Sequence, residues 1–150
     1  MDRTIVHLDL GCFFVSCEVL RDNSLQGKPI LVGGKSDRAV VASCSYEARK
    51  FCVRSAMPMR YAIQLCPDAK VIHGDMDLYS NYSKLVTAVI RESVPAFEKA
   101  SIDEFYIDMT GMDRFFACTL WAGELMQNIK KESGLSAYSL FVILLFLCLV

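Results

Sequence analysis

The sequence predicts an α+β fold with α/β-like features, in which helices pack on a sheet. Three observations predict this. Short apolar runs of strand length are bounded by Gly, Pro, Ser and Asp. Residues 79–94 repeat apolar side chains at helical spacing. The two kinds of segment alternate along the chain, as they do where helices cover a sheet. At 150 residues the chain is long enough for one core, or for a compact domain with a second one inserted.

In order, residues 4–10 read as a short central strand that ends where Gly11 allows a sharp turn. Leu20 to Gly27 is polar and turn-rich. Pro29–Gly34 and Ala39–Ser43 form a plausible hairpin, and Tyr46–Val53 reads as a helix. Pro58 suits a helix N-terminus and Pro67 stops that helix at Cys66. Residues 70–73 read as a strand. Tyr79–Val94 carries apolar residues at 82, 85, 86, 89, 90 and 94 and is predicted helical. Residues 99–109 are strand-like. Asp113 resembles the N-cap of a helix through Lys131, with Phe115, Ala122, Met126 and Ile129 on one stripe.

A hydrophobic fraction of 53% with 22% charged residues excludes a disordered chain. The net charge of −1 gives no global sign of a nucleic-acid partner, but the charge is segregated. Between Lys35 and Arg60, six basic residues against Asp37 and Glu47 leave +4; between Glu98 and Asp113, five acids against Lys99 leave −4. Two ordinary solvated surfaces would give the same pattern as a phosphate clamp beside a metal site. The seven cysteines form no Cys-x-x-Cys pair, and neither histidine stands at zinc-motif spacing from them, so the thiols read as small buried hydrophobes of a reducing cytosol. The N-terminus is no signal peptide.

The chemistry concentrates in three carboxylates. Asp9 ends the apolar run Ile5–Leu8, and Asp103 and Glu104 stand inside 100–108. Ionised carboxylates in apolar settings are costly unless a cation or donor compensates them. Brought together, the three form a hard oxygen site suited to Mg²⁺ and substrate phosphates. Adjacent strand residues face opposite ways, so Asp103 and Glu104 share a site only at a turn or bulge; otherwise they are hairpin-tip acids facing water. A turn over Leu10-Gly11-Cys12-Phe13-Phe14 would expose successive amides to an anion, whereas Phe13 and Phe14 also read as core aromatics. Tyr46 and Arg49, three apart on a helix, either grip one phosphate together or form a plain surface pair.

Three segments, His7–Glu18, Val41–Pro58 and Ala100–Asp108, resemble the N-terminal part of the Y-family translesion DNA polymerases, and most closely the bacterial DNA polymerase IV type. The resemblance covers roughly residues 4–135. It implies that Asp9, Asp103 and Glu104 hold two Mg²⁺ ions, with the Leu10 carbonyl as a further ligand. It implies that the backbone of Cys12, Phe13 and Phe14, together with Tyr46 and Arg49, contacts the triphosphate. Phe14 matches the aromatic that excludes a ribose 2′-OH. The family pattern puts a partial palm at 1–10 and 75–136, small fingers at 11–74, and a hydrophobic tail foreign to the family at 137–150. The implied partners are primer-template DNA and deoxynucleoside triphosphates, with a sliding clamp engaged only through a more C-terminal part, and the implied location is cytoplasmic.

Two departures stand out. Gly11 occupies a position where the family often has a second Asp. After Gly134 the family pattern gives way to Ser-Ala-Tyr and an uncharged end, an abrupt change that reads as a frameshift or truncated gene model. The 11 apolar residues after Ser139 are too few to span a bilayer, so no membrane association is expected, and they read as a buried strand or helix able to stand in for a palm strand. The expectation is a portion of an error-prone DNA polymerase that is inactive alone. The alternative is a non-catalytic remnant that at most binds Mg²⁺ and nucleotide.

Overall fold

The structure, a computed structural model, describes residues 3–34, 36, 38–111 and 118–144. Its contacts divide the chain into two compact units, one holding the chain up to Gly11 and from Ser80 onward, the other Cys12–Tyr79.

The first unit is built on an antiparallel sheet of β1 (Arg3–Leu10), β5 (Phe97–Lys99), β6 (Glu104–Asp108) and β7 (Ala137–Leu144), ordered β5-β6-β1-β7. Strand alternation decides its faces. Val6, Leu8 and Leu10 are buried, and Leu8 and Val6 lie opposite the buried Phe105 and Ile107. The intervening residues His7 and Asp9 lie opposite Tyr106 and Glu104, so the acids fall on the other face.

Helices α4 (Met76–Ser93) and α5 (Cys118–Ser133) add Val86, Ile90, Ala122, Leu125 and Ile129 to this unit's buried set. The α4 stripe differs from the predicted one. Its buried positions are Tyr79, Ser83, Val86 and Ile90, continued by Val94, whereas Leu85 is exposed. Two polar-ended side chains, Tyr79 and Ser83, fill places where an apolar count finds nothing. The helix also begins earlier than expected, because Asp75 accepts a hydrogen bond from the Leu78 amide at 3.0 Å and so caps it. In α5 the buried face is Ala122, Leu125 and Ile129, with Met126 half-buried; Asp113 and Phe115 lie outside the described residues. Gly134, at φ 76°, ends α5 in the left-handed conformation open to glycine, its amide donating to the Lys130 carbonyl.

Of the two conformations left open for the C-terminal run, the strand is the one found over Ala137–Leu144; residues 145–150 lie outside the described residues. β7 pairs with β1 from Arg3 opposite Leu144 to Leu10 opposite Ala137. The segment 99–109 is not one strand: β5 ends at Lys99 and the chain bends through 101–103 before β6, with the Ala100 amide donating to the Glu104 carbonyl.

The second unit holds the three-stranded sheet β3-β2-β4, from β2 (Ile30–Gly33), β3 (Val41–Cys44) and β4 (Lys70–Ile72). The predicted hairpin is β2 with β3, antiparallel and irregular at Val32/Gly33, while β4 runs parallel to β2. A Cβ on Gly33 would meet the Val40 carbonyl oxygen at 2.5 Å, so only glycine allows this approach. Leu31, Val41, Cys44, Ala48, Val53, Met59, Ala62 and Cys66 form its core. Helix α3 (Met59–Leu65) starts after Pro58 and stops at Cys66 as expected. Helix α2 is only Tyr46–Arg49, shorter than expected, because Cys52 at φ 65° turns the chain out of helical geometry.

Helix α1 (Phe13–Arg21) is the element the sequence reading lacked. A buried Glu18 interrupts its apolar face and Cys12 is no recognisable cap, so neither periodicity nor a start signal marks it. Residues 23–25, inside the stretch read as turn-rich, form one turn of 3₁₀ helix.

Candidate active site

Asp9 and Glu104 are direct cross-strand partners in the β1–β6 ladder, on the face opposite the core. The Leu10 amide donates to the Asp103 carbonyl at 3.1 Å, which places Asp103 beside them at the end of the hairpin. The bend at 101–103 places Asp103 outside the strand that Glu104 begins. Ser101 builds that bend: its hydroxyl is 2.7 Å from Asp103 Oδ1 and accepts the Glu104 amide at 3.1 Å. The three acids singled out in the sequence are thus backbone neighbours.

The donors suit Mg²⁺ by kind, since carboxylates and a backbone carbonyl are hard oxygens. Their side chains are not gathered for it. Among the described residues no group of three or more acids, histidines and cysteines converges at metal-holding distance. Asp103 is instead turned onto Ser101.

Around the acids lie groups that motif reasoning missed. The His7 ring stacks on Tyr106 with centroids 4.7 Å apart, and its buried Nε2 stands 4.0 Å from Glu104 Oε1 without a hydrogen bond. Ser83 donates to the Ile102 carbonyl and accepts from Lys99 Nζ at 2.6 Å, pinning the residue before Asp103 to α4. Burial pulls the Lys99 ammonium below its ordinary value. A polar residue on the inner stripe of a helix was the available signal for Ser83.

In the second unit, Cys12 sits at φ 45° and ψ 46°, so the turn expected at Gly11 is made by the left-handed conformation of its neighbour. Helix α1 begins at Phe13, and the Cys12 side chain caps none of its first-turn amides. Phe13 is a core aromatic, 3% exposed, while Phe14 is half-buried and stacks on Tyr79 with centroids 4.4 Å apart and planes at 19°. The Arg49 guanidinium lies over the Tyr46 ring at 5.2 Å, so the helical spacing does bring this pair together. Ser45 caps their short helix, its hydroxyl accepting the Ala48 and Ile30 amides. Arg49 and Arg54, with Cys52, Val53 and Ser55, line a cavity of about 550 Å³.

The model of the impB/mucB/samB family matches residues 8–139. The chain belongs to this family. It is 41% identical over 136 residues to the DNA polymerase IV of Treponema denticola, an alignment covering 90% of this chain and 34% of that protein. It is 42% identical over 132 residues to the DNA polymerase IV of Pseudomonas paraeruginosa, covering 87% of this chain and 38% of that one. Among solved structures it superposes on an insertion ternary complex of Dbh DNA polymerase with a TM-score of 0.86, and on DinB from Sulfolobus solfataricus with 0.85. Both are 26% identical and are matched over 93% of this chain and 42% of theirs. The mixed helix-and-sheet architecture expected from the sequence is thus that of Y-family polymerases, and the chain spans well under half the length of these relatives. No helix among the described residues is long and apolar enough to cross a membrane.

Proposed function

We propose that this chain carries the acidic centre and nucleotide grip of a translesion, error-prone DNA polymerase, acting on primer-template DNA and deoxynucleoside triphosphates in a cytoplasmic setting. The observation that carries the reading is the cross-strand pairing of Asp9 with Glu104, with Asp103 at the adjoining bend. Asp9, Asp103, Glu104 and the Leu10 carbonyl would hold two Mg²⁺ ions, which when bound activate a primer 3′-OH and neutralise the leaving pyrophosphate. For that role Asp103 would exchange its Ser101 hydroxyl for the metal.

The remaining work falls to the protein's own groups. The amides at Cys12, Phe13 and Phe14, at the positive end of α1, suit phosphate oxygens. Tyr46 and Arg49 supply a hydroxyl and a bidentate cation for the same triphosphate. Phe14, half-buried, is the side chain we assign to exclusion of a ribose 2′-OH. Residues 1–10 and 75–136 would be palm and 11–74 fingers, with 137–150 outside the family's pattern. A sliding clamp would be met only by segments beyond those present here.

The chain spans 34% and 42% of the length of two of its relatives, and to this portion taken by itself we assign metal and nucleotide binding without synthesis, since the chemistry needs primer and template held in register. Two experiments test this. Titration with Mn²⁺ followed by electron paramagnetic resonance should show binding that weakens in Glu104→Gln; equal binding in both would remove the carboxylates from the site. Addition of one deoxynucleotide to a primed template should not occur, and extension that disappears in Asp9→Ala would overturn the assigned inactivity while keeping the chemistry.

A further inference from the structure

Glu18 on α1 is 1% exposed, and nothing in the chemistry above uses it. A carboxylate at that depth is costly unless both oxygens are satisfied, and an apolar residue of similar size would pack there more cheaply. Both oxygens are satisfied, each by a different partner. Oε1 accepts the Tyr79 hydroxyl at 2.7 Å, and Oε2 pairs with the Arg21 guanidinium. Arg21 reaches on to Asp75 Oδ2 at 3.1 Å, and Asp75 caps the helix that bears Tyr79. Tyr79 is itself 1% exposed, and its ring lies stacked on Phe14 and edge-on to Phe13, with centroids 6.3 Å apart.

This arrangement fixes a direction as well as filling space. A phenol tethered at its hydroxyl is restricted about its first side-chain torsion, and a ring stacked on it is held nearly parallel to it. Burial, and then the bond to Glu18, push the Tyr79 phenol well above its ordinary pKa, so it stays a donor throughout the neutral range.

We propose that Glu18 is a positioning residue for sugar selection: by holding the Tyr79 hydroxyl it sets the plane of the Phe14 ring against the sugar of an incoming nucleotide. The proposal rests on the assignment of Phe14 to 2′-OH exclusion, and the test separates the two. Binding of dATP and of ATP, each with Mg²⁺, is measured on the full chain by titration calorimetry. Phe14→Ala should bring the dATP preference toward unity. Tyr79→Phe and Glu18→Leu should reduce it by about threefold, the order expected for one orienting hydrogen bond, chiefly by strengthening ATP. Glu18→Gln keeps an acceptor for the phenol and should restore the preference. Equal weakening of both nucleotides in Tyr79→Phe and Glu18→Leu, or an unchanged ratio, overturns the role of Glu18 while Phe14 keeps its own. An unchanged ratio in Phe14→Ala overturns the sugar-selection claim together with its parent assignment. Proton NMR on the unliganded chain tests the positioning without nucleotide. Cross-ring contacts between Phe14 and Tyr79 should persist in Glu18→Gln and vanish in Glu18→Leu, and their persistence in Glu18→Leu would contradict the proposal.

Discussion

Ser101 is the residue on which the candidate site's geometry turns. Its hydroxyl engages both the Asp103 carboxylate and the Glu104 amide, and so ties the bend at 101–103 to the start of β6. Removing it leaves a partly buried amide without that partner, so Ser101→Ala should cost about 1–2 kcal/mol in urea unfolding; no change in midpoint would mean the bend is held elsewhere. The cysteines give a second test at this scale. Burial, and then the neighbouring Glu18 charge, raise the Cys17 thiol from 9.0 to about 12, whereas Cys52 is exposed. Peptide mapping after alkylation at pH 8 should find Cys52 modified and Cys17 intact. The raised value also fixes a sign. The thiol stays protonated in the folded chain while the unfolded chain ionises near 9, so this contribution to stability is complete below pH 9 and lost as pH rises toward 12. Much of this scale was legible: Asp9, Asp103, Glu104, Tyr46 and Arg49 stand out by residue type and setting. Ser101, Ser83 and Glu18 do not, because their meaning lies in partners that only the folded chain brings near.

At the scale of elements, the apolar count misjudged the inner face of α4. Ile90 is fully buried and Leu85 is 40% exposed, although both belong to the predicted stripe. Ile90→Ala should therefore cost about 2–5 kcal/mol and Leu85→Ala within about 0.5 kcal/mol, by denaturant unfolding. Similar losses at both sites would contradict the assigned face. Helix α1 was illegible for a related reason, since its buried carboxylate is balanced by Arg21 and Tyr79 rather than by water. The strand β7 gives the opposite lesson. Its uncharged, mostly apolar composition fits strand and helix alike, and the register against β1 decides. Deletion of 137–150 takes away one whole neighbour of the central strand and should lower the melting temperature, although Tyr138 and Leu140 are exposed on that strand. Higher solubility at an unchanged melting temperature would show that β7 contributes nothing to the sheet.

Across the whole molecule, the two units divide the proposed work. The acidic centre lies on the antiparallel sheet of one, and the basic, aromatic groups for a triphosphate lie in the other. The segregation of charge along the sequence follows this division, which is why a net charge of −1 says little about partners. The central claim is that the carboxylates serve a metal-bound nucleotide. Calorimetric titration of the chain with dATP, with and without Mg²⁺, tests it most directly. The account predicts saturable binding that requires Mg²⁺ and is lost in Asp9→Ala at an unchanged melting temperature. Equal binding by Asp9→Ala, or binding indifferent to Mg²⁺, would contradict it.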